Sequence, residues 1–239
     1  MFNSQEKYYH IETEETGVMV CFVDIHAFIQ VYMPDIDPDN FRRTKNIFFK
    51  PTGPLAFYFT QDDFERINRF KVLKKQVEWM AGKAAVKRLA ALSCGVKENT
   101  LTIKAEEGGA PYLADFPNLP VSISHSGQFA VAASGTAAID VAVDIEKVEK
   151  DRMKSIGRVA FSKCELEELK DKSDEDHYLW WTVKEAYLKI IGRGFAEGLK
   201  KVEFLSGHIF HHEQKVEAIT INSKIIHDDY AFTLICRNS

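Results

Sequence analysis

The chain has 239 residues, of which 45% are hydrophobic and 28% charged, and its formal net charge is −4. This length and composition predict a buried core in one large domain or two halves, and the charge balance indicates no nucleic-acid partner and no anionic membrane surface. No apolar run is long enough for a membrane-spanning helix, the acidic N-terminal stretch does not resemble a signal peptide, and the four cysteines lack metal-ligand spacing. We therefore expect a cytoplasmic protein with reduced cysteines.

The first part of the chain predicts one strand and one long helix. Residues 18–25 (VMVCFVDI) form a β-prone run. From Asp62 to about Ala91, apolar residues recur in steps of three and four, which is typical of an amphipathic helix, and Asp62 or Asp63 is the expected N-cap. Glycines and prolines then interrupt residues 93–120, which we expect to form loops and turns.

The second part predicts more strands and two shorter helices. Three closely spaced β-prone runs at 121–125, 129–134 and 139–145 favour an antiparallel meander. Helical patterns follow at 163–171 and 177–191, and further strands are expected at 202–205, 216–221 and 230–236.

These elements predict an α+β fold in which a helix followed by strands occurs twice. We expect two similar halves, each a long helix packed on a small antiparallel sheet, in the manner of a pseudo-dimer. The expected halves are residues 1–115 and 116–239, the second of which carries the acidic residues described next. The sequence has no repeat of fixed period, so the duplication is a hypothesis.

Two carboxylates lie at the end of an apolar strand in VAVDIEKV, residues 141–148. Asp144 and Glu146 are two positions apart and therefore project from the same face of the strand. Their mutual repulsion would be relieved by a cation, and Mg²⁺ prefers such oxygen ligands together with substrate phosphates. The alternative is an acidic strand end exposed to water.

A helix at residues 180–195, WWTVKEAYLKIIGRGF, carries Glu185 and Lys189 on one side. Such an i,i+4 pair is more often a solvated helix contact than a catalytic device. Glu185 could nevertheless complete an acidic cluster with Asp144 and Glu146, while Lys189 held a phosphate beside it.

A histidine lies at a strand end next to a turn of small residues in SISHSG, residues 122–127. By itself, His125 fits a structural hydrogen-bonding role as well as a ligand-binding one. A serine hydrolase is a poor interpretation, because the chain has no GxSxG sequence.

Taken in order, SISHSG, VAVDIEKV, FSKCELEEL and WWTVKEAYLKIIGRGF resemble the 4′-phosphopantetheinyl transferase superfamily, and most of all its large, pseudo-dimeric, surfactin-synthetase-activating type. That type has a GxD sequence, an acidic residue two positions on, and a later WxxKEAxxK helix; here Asp144 and Glu185 are 41 positions apart. The resemblance covers roughly residues 60–200, including the GGAPYL turn.

The resemblance implies that Asp144, Glu146 and Glu185 hold Mg²⁺ against the diphosphate of coenzyme A. It also implies that Glu185 takes the proton from a serine of an acyl or peptidyl carrier protein, that Lys189 steadies the diphosphate, and that 3′,5′-ADP is released. Further implied coenzyme contacts come from the first long helix and from the strand end; they are Arg66, Lys83, Ser124 and His125. A monomer would suffice if the two halves pair within one chain.

Two positions depart from the family pattern. Ala142 replaces the usual glycine two residues before the first aspartate. Ala110 replaces a basic residue expected near the coenzyme phosphates, and Lys104 or Lys147 could substitute for it. Two alternatives therefore stay open: a catalytically silent relative that binds coenzyme A or a carrier protein, and another Mg²⁺-dependent phosphotransfer enzyme.

Overall fold

The computed structural model describes residues 8–150, 152–193 and 197–238, and it has the expected α+β composition. The elements of the first part are β1 (Tyr9–Thr13), β2 (Met19–Asp24), α1 (Ile25–Tyr32), α2 (Gln61–Ile67), α3 (Leu73–Cys94), β3 (Ile103–Ala105), β4 (Pro111–Leu113), β5 (Val121–Ser126) and β6 (Phe129–Ser134). Those of the second part are β7 (Ile139–Lys147), α4 (Arg152–Ala160), α5 (Lys163–Glu168), α6 (Asp174–Ile190), β8 (Val202–Leu205), β9 (His208–His211), β10 (Gln214–Lys215), β11 (Ile219–Ile226) and β12 (Tyr230–Asn238).

Four antiparallel sheets carry these strands. The two that organise the described chain have the strand orders β1-β2-β6-β5 and β11-β12-β7, and the smaller ones are β10-β9-β8 and β3-β4. Helix α3 packs on the first of these sheets and helix α6 on the second. None of the helices in the described ranges combines the length and apolar character that crossing a membrane requires.

The two larger sheets pack face to face. Alternate residues of β2 and β6, such as Phe22 and Val131, meet the facing side chains of β7 and β12. The rings of Phe22 and Phe232 lie 5.1 Å apart across this interface. The remaining face of each sheet contacts its own helix, so the layers follow the order α3, first sheet, second sheet, α6.

The predicted helix from Asp62 to about Ala91 is wrong, because two helices occupy that range. Helix α2 ends at Ile67, and the carboxamide of Asn68 then bonds the backbone of Phe49 in both directions, at 2.8 and 2.9 Å. The apolar residues keep their spacing of three and four across this interruption. The break depends on a long-range contact, which the local sequence pattern does not predict. The N-cap of α2 is Thr60 rather than Asp62 or Asp63; Asp63 instead completes a capping box with it.

The predicted meander is correct for its first two strands only. Strands β5 and β6 form a hairpin, but β7 pairs with β12 and belongs to the other sheet. The run predicted as loop also contains the last residues of α3 and the short β3-β4 hairpin. Helix α3 ends at Cys94, and its C-cap is Gly95, whose left-handed conformation (φ 66°) suits glycine.

The sequence patterns also missed several elements. Helix α1 was missed because its β-branched residues continue a strand-like run; its N-cap is Asp24, which accepts a hydrogen bond from the Ala27 amide. Strands β1, β9 and β10 and helix α4 were missed as well.

Candidate active site

Three carboxylates approach one another where β7 faces α6. Asp144 and Glu146 share the face of β7 on which Ala142 packs against α6, as strand alternation predicts. Glu185 comes from α6, and the side chains of Asp144 and Glu185 are almost fully buried, with residue exposures of 4% and 8%. The interpretation of these groups as water-exposed charges at a strand end is therefore wrong for Asp144.

Serine hydroxyls of β5 hold the two β7 carboxylates. Ser124 Oγ donates to Asp144 Oδ1 at 2.7 Å, and Ser126 Oγ donates to Glu146 Oε2 at 2.7 Å. Ser122 lies on the same face of β5, but its Oγ accepts from the Val143 amide at 3.1 Å instead. Strand β5 thus joins the two larger sheets at this edge and orients both acidic groups.

Lys189 lies at the same junction. Its ammonium donates to Asp144 Oδ1 at 2.7 Å and to the carbonyls of Val143 at 2.8 Å and Ile123 at 3.3 Å. Because these partners belong to both β5 and β7, Lys189 connects α6 to both sheets and supplies a positive charge beside the carboxylates. Lys189 therefore pairs with Asp144 and does not form the solvated helix pair with Glu185 that the sequence left as an alternative.

Burial and the proximity of other negative charges raise the pKa values of Glu185 and Glu146. Burial raises the pKa of Glu185 to about 8, and the charge of Asp144 adds to that effect. Burial likewise raises the pKa of Glu146 to about 7, again with help from Asp144. The carboxylates are therefore close enough to oppose one another's ionisation, as expected for groups that share a cation.

Two buried oxygens fit a cation at this place. Among the described residues, Asp144 Oδ2 and Glu185 Oε1 are buried and accept no hydrogen bond. A buried carboxylate oxygen without a donor costs free energy, which a hard divalent cation would offset. The donor set of Asp144, Glu146 and Glu185, all oxygen, suits Mg²⁺.

A buried ion pair fixes the helix segment that carries Glu185. Lys184 Nζ donates to Glu165 Oε2 at 2.6 Å and to the Ala160 carbonyl at 2.8 Å, and both side chains of the pair are fully buried. Glu165 also closes the capping box of α5 with Ser162 and accepts from the Phe204 amide. Lys184, which neighbours Glu185 in sequence, is therefore committed to packing.

Comparisons with known proteins identify the family to which the chain belongs. One family model, "4′-phosphopantetheinyl transferase superfamily", matches residues 140–235, and a second, "4′-phosphopantetheinyl transferase, N-terminal", matches residues 55–137. The chain belongs to this superfamily.

Curated relatives are similar over part of their length. The 4′-phosphopantetheinyl transferase ffp of Bacillus subtilis is 28% identical over 61% of this chain and 65% of its own. Sfp of Bacillus subtilis (strain 168) is 26% identical over 58% of this chain and 62% of its own. The human L-aminoadipate-semialdehyde dehydrogenase-phosphopantetheinyl transferase is 28% identical over 60% of this chain and 51% of its own. These matches thus span between about half and just under two thirds of each relative.

Two neighbouring cavities open beside the carboxylates of this phosphopantetheinyl transferase homologue. One, of about 260 Å³, is lined by Glu185 and Lys189 together with the Gly108–Pro111 turn. The other, of about 390 Å³, is lined by the predicted coenzyme contacts Arg66, Lys83 and His125. Gly109, Pro111 and Ile123 line both cavities, so the two adjoin.

The predicted coenzyme contacts differ in their surroundings. Lys83 is buried, donates to the Ile103 carbonyl at 2.9 Å and has a pKa that burial lowers to about 8. Burial also lowers the pKa of His125, whose Nδ1 lies 3.7 Å from Glu78 Oε2. Ser124 is engaged with Asp144 and is absent from the described walls of either cavity.

Sequence reasoning missed several residues of this site. Lys75 and Trp79 of α3 line the larger cavity with Lys83, at the helical spacing of i, i+4 and i+8. Ser126 was also missed, although serines at 122, 124 and 126 alternate along β5 and so share a face. The helical spacing could have identified Lys75 and Trp79, and the strand alternation could have identified Ser126.

Proposed function

We propose that this protein transfers the 4′-phosphopantetheine group of coenzyme A to a serine of an apo acyl or peptidyl carrier protein and releases 3′,5′-ADP. The proposal rests on the proximity of the Asp144, Glu146 and Glu185 carboxylates. One oxygen each of Asp144 and Glu185 is buried without a hydrogen bond among the described residues, and Lys189 lies beside them. The names of the curated relatives, which include several 4′-phosphopantetheinyl transferases, support it.

The residues of the chain divide the work of this reaction. Asp144, Glu146 and Glu185 would hold Mg²⁺, which when bound supplies positive charge to the diphosphate and its leaving group. Glu185, directly or through a water, would accept the proton of the attacking serine as its oxygen forms a bond to phosphorus and the bond to 3′,5′-ADP breaks. Lys189 would place its positive charge beside the diphosphate.

The larger cavity is the proposed place for the phosphates of the coenzyme. Arg66, Lys75, Lys83 and Lys104 line it together with His125, and Glu78 is the one acidic residue among its described lining, so basic groups outnumber acidic ones in its wall. Lys104 in this wall can replace the basic residue missing at Ala110. The other substitute considered, Lys147, lies 3.4 Å from Asp229 Oδ2 and does not line the described part of the cavity.

Intact mass spectrometry of a carrier protein tests the proposal. The full chain is incubated with coenzyme A, Mg²⁺ and apo carriers from fatty-acid, polyketide and peptide synthesis, and at least one carrier should gain the phosphopantetheine mass. An unmodified set of carriers, with coenzyme A still bound, would favour the silent relative. Release of 3′,5′-ADP in the absence of a carrier serine would favour another phosphotransfer enzyme.

We also propose that the chain consists of two similar halves. Helix α3 packs on β2, β6 and β5, and helix α6 packs on β12, β7 and β11, which supports a pseudo-dimer within one chain. The predicted division after residue 115 assigns β5 and β6 to the second half, yet β6 pairs with β2 and β5 pairs with β6, so both belong to the first sheet. We propose a division between β6 and β7, which keeps each sheet intact. The expected setting remains a monomer in the cytoplasm.

A further inference from the structure

A second group of metal-ligand side chains lies away from the carboxylates of β7. It consists of Glu197, His211 and His212, whose ligand atoms all lie within 4.8 Å of one another. His212 Nε2 lies 2.9 Å from Glu197 Oε1, and His211 Nε2 lies 3.4 Å from the same oxygen. Two imidazole nitrogens and one carboxylate oxygen therefore point at a common place.

The distances match those of a transition-metal site. In a tetrahedral zinc site with metal–ligand distances near 2.0–2.1 Å, neighbouring ligand atoms are separated by about 3.3 Å. The two separations from Glu197 Oε1, 2.9 and 3.4 Å, bracket that value. A set of two imidazoles and one carboxylate favours zinc-like ions over Mg²⁺, which prefers oxygen alone.

The surroundings orient one of these ligands as metal sites commonly do. Tyr187 Oη lies 3.2 Å from His211 Nδ1, the nitrogen on the far side of the ring from Glu197. When Nδ1–H donates to Tyr187 Oη, the imidazole is held in place and its unprotonated Nε2 is left to bind a metal. Tyr187 is itself 5% exposed and belongs to α6, so a rigid element carries this contact.

The second histidine is held by the turn between β9 and β10. The rings of His211 and His212 stack with centroids 4.6 Å apart. His212 and the next residue, Glu213, both have positive φ, at 49° and 63°, a conformation that side chains other than glycine and asparagine rarely adopt. The turn therefore brings His212 Nε2 round to the oxygen that His211 also approaches.

We propose that Glu197, His211 and His212 form a zinc-type divalent cation site, distinct from the Mg²⁺ carboxylates, with a fourth position open to water. Lys201 Nζ lies 3.8 Å from Glu197 Oε1, but its side chain is 55% exposed and can leave when a cation arrives. The ion would join the segment that follows α6 to the β9-β10 hairpin. Bound zinc would thus brace the side of α6 that carries Tyr187.

Zinc titration of the metal-stripped full chain tests this site. Calorimetry with ZnCl₂, in buffer already containing saturating Mg²⁺, should give one site per chain, and the ¹⁵N resonances of the His211 and His212 rings should shift. His212→Ala and Glu197→Gln should each weaken this binding by at least about tenfold, because each removes a ligand. His212 is 59% exposed and Glu197→Gln keeps the size of its side chain, so folding, checked by circular dichroism, should persist.

His208→Ala is the matched control. His208 is an exposed histidine of the same strand β9, and its Nδ1 lies 2.9 Å from the Ser206 carbonyl. This variant should bind zinc like the unaltered chain. Failure of the unaltered chain to bind zinc would overturn the proposal, as would zinc affinities of His212→Ala and Glu197→Gln that equal that of the unaltered chain. In those cases the three side chains form a simple ion-pair cluster.

Discussion

The long helices of the two proposed halves, α3 and α6, bury a lysine in the same way. Lys87 of α3 donates to Asp63 Oδ2 at 2.9 Å and to the Tyr58 carbonyl at 2.6 Å. Lys184 of α6 has the corresponding partners: the carboxylate of Glu165, from the capping box of α5, and a backbone carbonyl two residues before that helix's N-cap. Each ammonium also lies over the phenylalanine that precedes the N-cap, Phe59 or Phe161.

The two helices differ at the next position. In α3 the lysine is followed by Arg88, which donates to Glu98 Oε1 at 2.6 Å. In α6 it is followed by Glu185, one oxygen of which is buried without a hydrogen bond among the described residues. The shared buried lysine is thus a packing device, and the unpaired carboxylate beside it is what the second half adds. We therefore expect catalysis at Glu185, the position at which α6 differs from α3.

Replacing the diverging residue should have the largest effect. Glu185→Gln should lower transfer to a carrier protein by about 10²- to 10⁴-fold, the usual contribution of a general base. Stability should change little, because the amide keeps the shape of the side chain. Carrier modification by mass spectrometry and urea unfolding measure the two effects.

Arg88→Gln is the matched change in the first half. It should leave the rate of transfer within about threefold, since Arg88 lies away from both cavities among the described residues. Equal activity loss in both variants would remove the functional distinction between the two helices.

Removing the shared lysine should destabilise both halves. Lys184→Met and Lys87→Met each leave a buried carboxylate without its partner, at a cost of about 3–5 kcal/mol. Urea unfolding measures that loss. Adding Glu165→Gln to Lys184→Met should recover part of it, because the stranded charge is then gone.

Activity should separate these two lysine variants. Lys184 neighbours Glu185, so Lys184→Met should also lower kcat under conditions where the protein remains folded, whereas Lys87→Met should not. A kcat loss that is the same in both would mean that the ion pairs act on the site only through global stability.

Stability of the metal-free protein should depend on pH through the second half. Glu185 and Glu146 have an ordinary pKa of 4.5 that folding raises to about 8 and about 7. The folded state therefore holds protons that the unfolded chain releases, so this stabilisation is complete below about pH 4.5 and is lost as pH rises towards 8. Between pH 6 and 8 the loss should be roughly 3–4 kcal/mol for the two groups together.

Added Mg²⁺ should offset that loss. The ion should raise the melting temperature more at pH 8 than at pH 6, because more of the carboxylate charge is present to be neutralised. Glu185→Gln should flatten both dependences, while Arg88→Gln should not. A melting temperature that is independent of Mg²⁺ at pH 8 would contradict the proposed cation site.

Local pattern was sufficient where the decisive contacts were local. Alternation along β7 placed Asp144 and Glu146 on one face, and the structure has them there. The helix pattern offered Glu185 as a third carboxylate and the family resemblance implied its role, but its approach to the other two depends on α6 packing against β7 and cannot be read from spacing alone. In the first half, the same periodic pattern failed at Asn68, because a bond to distant Phe49 ends the helix.

The partners of the carboxylates lay beyond sequence reasoning for a related reason. Ser124 was assigned to the coenzyme, but its hydroxyl donates to Asp144. The meander predicted for β5, β6 and β7 would have separated β5 from β7 by a strand. Only the pairing of β7 with β12 leaves its other edge next to β5, where the serines reach the carboxylates.

The smallest effects should distinguish the three serines of β5. Ser124→Ala and Ser126→Ala remove the hydroxyls that orient Asp144 and Glu146, and such changes commonly weaken metal binding by about tenfold. Ser122→Ala is their control, because its hydroxyl bonds only the Val143 amide among the described residues; it should cost about 1 kcal/mol of stability and leave Mg²⁺ affinity unchanged. Mg²⁺ titration by calorimetry measures the difference. If all three variants bind Mg²⁺ alike, β5 serves only to join the two sheets, and the second half would differ from the first by its carboxylates alone.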